Sequence, residues 1–459
     1  MTLPPAPTTS PSAQPACPAS AADWLDHAVG AETFPDKLSA CIHCGMCLPA
    51  CPTYRITGSE AESPRGRIYL MGAMQRGELT DARQLADHLD PCLGCLACTS
   101  ACPSGVDYEA LLMGSRSALV SRQPFYKRWL RWVVLGTVLP NPVLLLAATH
   151  MVRLAQRLGL FGLLKGLGVF AVLAKINEPL GNSVRFMPRI GQIDPIGNGQ
   201  TYGQNQRGRV ALFTGCLMNT VYAHVHRATI TALVANGWQV VVPRQTCCGA
   251  LAHHAGETDL ARRLTRQNMA AYGGLDVDWV VVNSAGCGAM LQGAHHLFDT
   301  DQEAEQEASQ ARAYSQKHID VMALLAQHPL QGLDFESVGS HTGSPTPVAY
   351  HAACHLYHGQ GVQDEPERVL RQLPQISLVP LRDASQCCGS AGVYNLAHPE
   401  LSSAVLAEKM QAVAEAKPAV VVAGNPGCML QLETGAREHR LMVDVKHPVE
   451  LVAEAYDQG

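Results

Sequence analysis

Two runs of cysteine share one grammar. Cys41, Cys44, Cys47 and Cys51 are followed by Pro52, and Cys92, Cys95, Cys98 and Cys102 by Pro103, the runs starting 51 residues apart. Three thiolates at every third residue fit a loop that wraps three corners of an iron–sulfide cube, and in two-cluster chains the fourth thiolate reaches the neighbouring cluster. The proline then turns the backbone away, since it has no amide hydrogen to continue a tight coil. The spacing predicts two [4Fe–4S] clusters with crossed ligation. One takes Cys41, Cys44, Cys47 and Cys102, and the other takes Cys92, Cys95, Cys98 and Cys51.

A second cysteine system lies further on. Cys216, Cys247, Cys248 and Cys287 recur as Cys354, Cys387, Cys388 and Cys428, at offsets of 138, 140 and 141 residues. Near-constant offsets imply duplication of one βαβαβα unit. Adjacent cysteines suit a metal centre that draws two bonds from one turn, and Gly249 and Gly389 allow the backbone to come close. These eight thiols form a candidate third and fourth site; buried structural thiols are the alternative.

The elements that must position these thiols follow from apolar periodicity. Short strands are predicted at residues 209–213, 239–242 and 279–282, each ending just before a cysteine group. They are echoed at residues 348–351, 377–380 and 419–422. Helices are predicted between them, at residues 220–236 and 260–272 in the first unit. Strands alternating with helices give a parallel sheet covered on both faces. Its carboxyl edge, where open α/β sheets bind ligands, collects every cysteine group. Between the two leading cysteine runs, helices are predicted at residues 68–75 and 79–89. Arg65 and Arg67 there either offset the charge of anionic clusters or sit at the surface. The fold class is therefore mixed, α+β with α/β. A tail (residues 1–34) precedes a helical, ferredoxin-type two-cluster module (35–118), an apolar helical connector (119–208) and two cysteine-rich repeats (209–340 and 341–459).

Composition narrows the function. The chain has 459 residues, 47% hydrophobic and 16% charged, and a net charge of −5, which argues against nucleic acid as a partner. Seventeen cysteines without an apolar leader point to reduced, metal-bound thiols in the cytoplasm rather than to a disulfide scaffold. Cys17, in the tail, matches no motif. The most apolar stretch, residues 129–149, is interrupted by Pro140 and Pro142 and is too short on either side to span a bilayer. Residues 151–175 intersperse Arg153, Arg157, Lys165 and Lys175 among apolar residues. That pattern suits an amphipathic helix, lying on the inner face of a membrane or packed on the protein's own core. Residues 303–307 are a solvated acidic run. His253, His254, His295, His296, His351, His355 and His358 are candidate metal ligands or proton carriers. There is no glycine-rich nucleotide loop, so no residue is assigned as catalytic. Where the reaction needs a cofactor that accepts a hydride, that cofactor would then sit on another polypeptide, because iron–sulfur clusters take one electron at a time.

The cysteine-rich repeats resemble the cysteine-rich domain of heterodisulfide reductases and of several iron–sulfur dehydrogenase subunits. They differ where that pattern has a fifth cysteine, Ser284 standing there in one half and Asn425 in the other. An ordinary cluster, a quinone-proximal site and a metal-free remnant all stay open for them. Read together, CIHCGMCLPACPTYRITGSEAESPRGRIYLM (residues 41–71), DPCLGCLACTSACPSGVDYEALL (90–112), NSAGCGAM (283–290) and CCGSAGVYNLAHPEL (387–401) resemble the iron–sulfur subunit of bacterial glycolate oxidase, also called glycolate dehydrogenase. The resemblance implies a partner subunit holding FAD that oxidises glycolate, with electrons passing through this chain toward a membrane quinone. Competing readings are a lactate or glycerol-3-phosphate dehydrogenase subunit, a catalytic disulfide reductase, and a zinc-holding structural protein.

Overall fold

A computed structural model describes residues 33–120, 122–170, 185–188, 190–298, 305–332 and 344–457. Cys17 with most of the tail, Lys175 and the start of the acidic run lie outside these residues. Behind them, Glu307 pairs with Arg266 at 2.6 Å.

The leading module is built from short helices. Pro52–Thr57 and Pro64–Gln75 each begin on proline, whose fixed φ suits a first helical turn. Ser63 caps the second by accepting from the Gly66 amide, which starts that helix one turn before the apolar run. Ala82–Leu89 starts three residues later than its apolar pattern, because Asp81 accepts from the Arg83 amide and fixes the cap there. Met71, Leu85, Leu89, Leu111 and Leu112 make the module's core, the last two from the helix Tyr108–Val120.

The two repeats hold sheets of matching order. In the first, β2 (Gly208–Phe213) lies between β3 (Trp238–Val241) and β4 (Trp279–Val282), with β5 (His318–Asp320) outside β4 and a short antiparallel β1 (Thr201–Tyr202) outside β3. In the second, β6 (Thr346–His351) lies between β7 (Ile376–Val379) and β8 (Val420–Ala423), with β9 (Asp444–Lys446) outside β8. All pairings except that of β1 are parallel. Alternation along β2 divides its side chains between two cores. Val210 and Leu212 enter a core shared with the second repeat, and Ala211 and Phe213 enter one confined to the first. Parallel pairing with both faces buried explains why the strands read as continuous Val and Ala runs.

The repeats interlock. The helix Ala223–Ala235 of the first packs along Pro448–Asp457, the last helix of the second, and Asn236 donates to the Tyr456 hydroxyl at 2.9 Å. Reciprocally, Val321–Leu325 packs on Glu365–Leu370. The carboxyl ends of β4 and β8 meet where the Ala285 amide donates to the Gly424 carbonyl at 2.9 Å.

The connector is more broken than its periodicity predicts. The helix Phe125–Val133 continues as a wide turn, Val134–Val138, and then bends by 103° into Pro142–Arg157, which Asn141 caps. A second break at Gly159, which is in the left-handed region at φ +67°, separates Leu160–Gly166. The single amphipathic helix expected over residues 151–175 is therefore two pieces up to residue 166, and Gly168, at φ +71°, breaks it again. Among the described residues, no single helix is long and apolar enough to cross a membrane.

Candidate metal centres

The two leading cysteine runs fold alike. The second and fourth residues after the first cysteine take positive φ in both, His43 at 54° and Gly45 at 85°, then Gly94 at 59° and Leu96 at 63°. Two left-handed residues curl each loop so that its thiols converge. Cys41, Cys44, Cys47 and Cys102 line one small pocket, which Cys98 lines as well. Cys44 is exposed there, while Cys51, Cys92, Cys95 and Cys98 are all buried. Burial, then the neighbouring Cys92, Cys51 and Cys47, pushes the Cys98 thiol up. The loops thus differ in access: one faces solvent and the other lies inside.

Two arginines serve the inner loop. Arg67 is fully buried. Its guanidinium donates to the His88 carbonyl at 2.6 Å, to Thr53 Oγ1 at 3.1 Å and to Glu62 Oε2 at 2.8 Å. Burial alone would push Arg67 down, but the charges of Cys92, Tyr108, Cys51 and Glu62 hold it above its ordinary value. Arg116 donates to the carbonyls of Cys92 (2.7 Å), Leu89 (3.1 Å) and His254 (3.2 Å), tying the inner loop to the first repeat. Burial raises the Cys92 thiol, yet Arg67 and Arg116 together carry it below its ordinary value. Of the two arginines weighed from sequence, Arg65 is the outer one, bonded to Glu60 and the His43 carbonyl. Arg116 went unnoticed, although an arginine on an otherwise apolar helix was a usable signal.

The eight cysteines of the repeats collect at the carboxyl edges of the two sheets. They line one cavity of about 1060 Å³, together with Cys92 and Leu93 of the inner loop. In the first repeat, Cys216 and Cys247 are 3.6 Å apart and Cys248 and Cys287 are 3.2 Å apart, too far for disulfides. Ser284 and Asn425 face each other across the junction of the repeats. Ser284 Oγ and the Gly286 amide donate to Asn425 Oδ1 at 3.5 and 3.2 Å, and Asn425 Nδ2 donates to Cys428 Sγ at 3.6 Å. The positions of the two missing cysteines therefore form a polar clasp.

Each Cys-Cys pair is followed by glycine at φ near +90°: Gly249 at +87° and Gly389 at +89°. A Cβ on Gly389 would also meet the Ser402 carbonyl oxygen at 2.7 Å, whereas one on Gly249 meets nothing nearer than 3.5 Å. Gly249→Ala is expected to cost about 1–3 kcal/mol through backbone strain alone, and Gly389→Ala more. Equal losses in the thermal midpoints of the two variants would refute this ranking.

The inner loop and the second repeat touch. Leu93, Cys95 and Ala97 form one apolar cluster with Cys354, Cys387, Tyr394 and Val405. The Tyr394 hydroxyl donates to the Pro91 carbonyl at 3.0 Å, and His358 bonds Ser100 at 2.8 Å. Of the histidines named from sequence, His254 and His355 line the cavity with their rings edge to face, 5.1 Å apart. Burial keeps both neutral, lowering His355 to about 4. His253, His295 and His296 do not line it. Lys409, unnoticed in the sequence, is buried beside Cys387, Cys388 and Cys428 and donates to the Asp383 carbonyl; burial lowers it to about 8.

The donor chemistry suits iron–sulfur clusters. The thiols converge as free cysteines in two like loops, and buried cations stand ready for anionic clusters. Residues 37–106 match the model of the 4Fe-4S dicluster domain, and residues 210–292 and 348–433 each match that of the cysteine-rich domain. The chain is 34% identical over 438 residues to the probable glycolate oxidase iron-sulfur subunit of Bacillus subtilis, covering 91% of this chain and 94% of that one. The chain belongs to the glycolate oxidase iron–sulfur subunit family. The glycolate oxidase iron-sulfur subunit of Escherichia coli is 32% identical over 92% of this chain and 95% of its own. Lactate utilization protein A of Geobacillus kaustophilus is 34% identical over 51% of this chain and 92% of its own. As a member of the glycolate oxidase iron–sulfur subunit family, the chain is an iron–sulfur electron-transfer subunit of a dehydrogenase.

Proposed function

We propose that this subunit receives electrons from an FAD-bearing partner that oxidises glycolate, and delivers them to a membrane quinone. The observation that carries the reading is the apolar cluster joining Cys95 of the inner loop to Cys354 and Cys387 of the second repeat. It supports a relay that continues from the leading module into the cysteine-rich repeats. Clusters bound at the crossed sets, Cys41, Cys44, Cys47 and Cys102, then Cys92, Cys95, Cys98 and Cys51, supply one-electron carriers. The chain's own residues set the order. Exposed Ile42 and Met46 beside Cys44 offer an apolar entry face to the partner. Leu93, Ala97 and Val405 exclude water from the inner contact. Arg67 and Arg116 favour negative charge at the inner loop. The cavity of the repeats is bordered by Pro124 and Arg131 of the connector.

That connector favours a membrane as the destination. Fourteen of the twenty large apolar side chains exposed among the described residues lie between Phe125 and Leu167, Trp129 and Trp132 among them. No Asp or Glu occurs from residue 110 to 177, whereas Arg122, Arg128, Arg131, Arg153 and Arg157 do. Such a face suits the interface of an anionic bilayer. The chain is expected to sediment with phosphatidylglycerol vesicles and less so as salt rises. Replacing Trp129 and Trp132 together by alanine is expected to weaken binding at least about tenfold.

The reading is tested by mixing the anaerobic subunit with its flavoprotein partner. Glycolate should bleach the absorption of the iron–sulfur clusters only when both chains are present, and re-oxidation by a quinone analogue should follow. Bleaching by glycolate without the partner would overturn it. Lactate belongs in the same assay, given the similarity to Lactate utilization protein A.

A further inference from the structure

We propose that His351 is a metal ligand, so that the second repeat builds a mixed nitrogen–sulfur centre while the first builds one from thiolates alone. A ring nitrogen of His351 and the Sγ atoms of Cys388 and Cys428 all lie within 4.8 Å of one another, and all three residues are buried. No other trio of ligating side chains meets this separation among the described residues. Tetrahedral bonds of about 2.3 Å to sulfur and about 2.0 Å to nitrogen place ligand atoms about 3.5–3.8 Å apart, inside that limit, so one ion fits between them.

The imidazole is otherwise hard to explain. His351 has no exposed surface, and neither ring nitrogen has a hydrogen-bond partner. A buried polar group left without partners is destabilising, and coordination removes the cost at one nitrogen. For the other, the Ala384 carbonyl, which accepts from the Ala352 amide, is the nearby acceptor. Metal-bound histidines are commonly oriented in this way. Asn425 already engages the Cys428 thiol from the place of the missing fifth cysteine, so the ring compensates for a ligand the repeat lacks.

The duplication supplies an internal control. His351 ends β6, and the residue ending β2 at the equivalent place is Phe213, stacked on Tyr272 with ring centroids 6.3 Å apart. The cation differs too: opposite Lys409, the first repeat has Asn268, which donates to the Cys247 carbonyl at 3.0 Å. The two centres therefore differ in ligand type and in the charge beside them. Imidazole with thiolates selects iron or zinc. Where histidine replaces cysteine on an iron–sulfur centre the reduction potential rises, which would make the second repeat the stronger electron acceptor.

The proposal rests on the reading that the cysteine-rich repeats hold metal, and one experiment separates the two. The full chain is purified anaerobically as wild type, Cys428→Ser, His351→Phe and His351→Cys, with the signals of the leading clusters certifying the fold. Iron, zinc and sulfide are then counted, and the nitrogen ligand is sought by X-ray absorption or nitrogen hyperfine coupling. His351→Phe should lose as much metal as Cys428→Ser, and His351→Cys should keep the metal but lose the nitrogen signal. Full metal retention in His351→Phe, with loss in Cys428→Ser, would overturn the role of the histidine alone. No loss in Cys428→Ser would overturn metal binding by the repeat as well.

Discussion

Serine at position 51 is expected to disable the cluster held by the second cysteine run and to leave that of its own run standing. Cys51 is buried with Cys92, Cys95 and Cys98, whereas Cys102 lines the pocket of Cys41, Cys44 and Cys47. The mirror variant, Cys102→Ser, should spare the inner cluster and remove the outer one. Electron paramagnetic resonance of the reduced variants distinguishes them, because an exposed and a buried cluster relax and titrate differently. Turnover of the assembled dehydrogenase with a quinone acceptor should fall at least about 100-fold in either variant, since loss of outer-shell support alone costs 10–100-fold. If Cys51→Ser removed the outer cluster, ligation would not cross.

Arg67 carries the second large expectation. Its guanidinium is buried and bonded to Glu62, whose side chain is only 15% exposed and also accepts from His88 at 2.6 Å. Arg67→Met would leave that carboxylate without its main partner, at a cost of about 3–5 kcal/mol. The same change would remove a positive charge beside Cys92 and Cys51, lowering the reduction potential of the inner cluster. Arg67→Lys keeps the charge but not the three-way fork and should recover potential better than stability. Thermal unfolding and a redox titration measure the two effects separately. A fall in stability with an unchanged potential would reduce Arg67 to a structural role.

The sequence carried the thiol groups and the duplication because these depend on strict spacing. The offsets between Cys216 and Cys354, or Cys287 and Cys428, survive any drift in the intervening helices. The edge strands β5 and β9 escaped notice because each has three residues, two of them polar: His318 and Asp320, then Asp444 and Lys446. Burial of a charge is equally hard to read. Arg65 and Arg67 stand two residues apart in one motif, and only tertiary packing decides which faces inward. Ser284 and Asn425 were legible as departures from a pattern, but their mutual hydrogen bond needed both repeats in place. The Pro140 break in the connector was plain in the sequence. The one at Gly159 was not, since a single glycine in an apolar run is often tolerated in a helix.

The exchange of terminal helices between the repeats sets a clock on biogenesis. The face of Ala223–Ala235 that packs on Pro448–Asp457 stays uncovered until more than 200 further residues have been made. At about 5–20 residues per second that is a delay on the order of 10–40 s. During it, the thiols of Cys216, Cys247, Cys248 and Cys287 exist in a half-closed repeat, open to stray metal and oxidant. Loss of the helix Pro448–Asp457 would therefore injure the first repeat as well as the second.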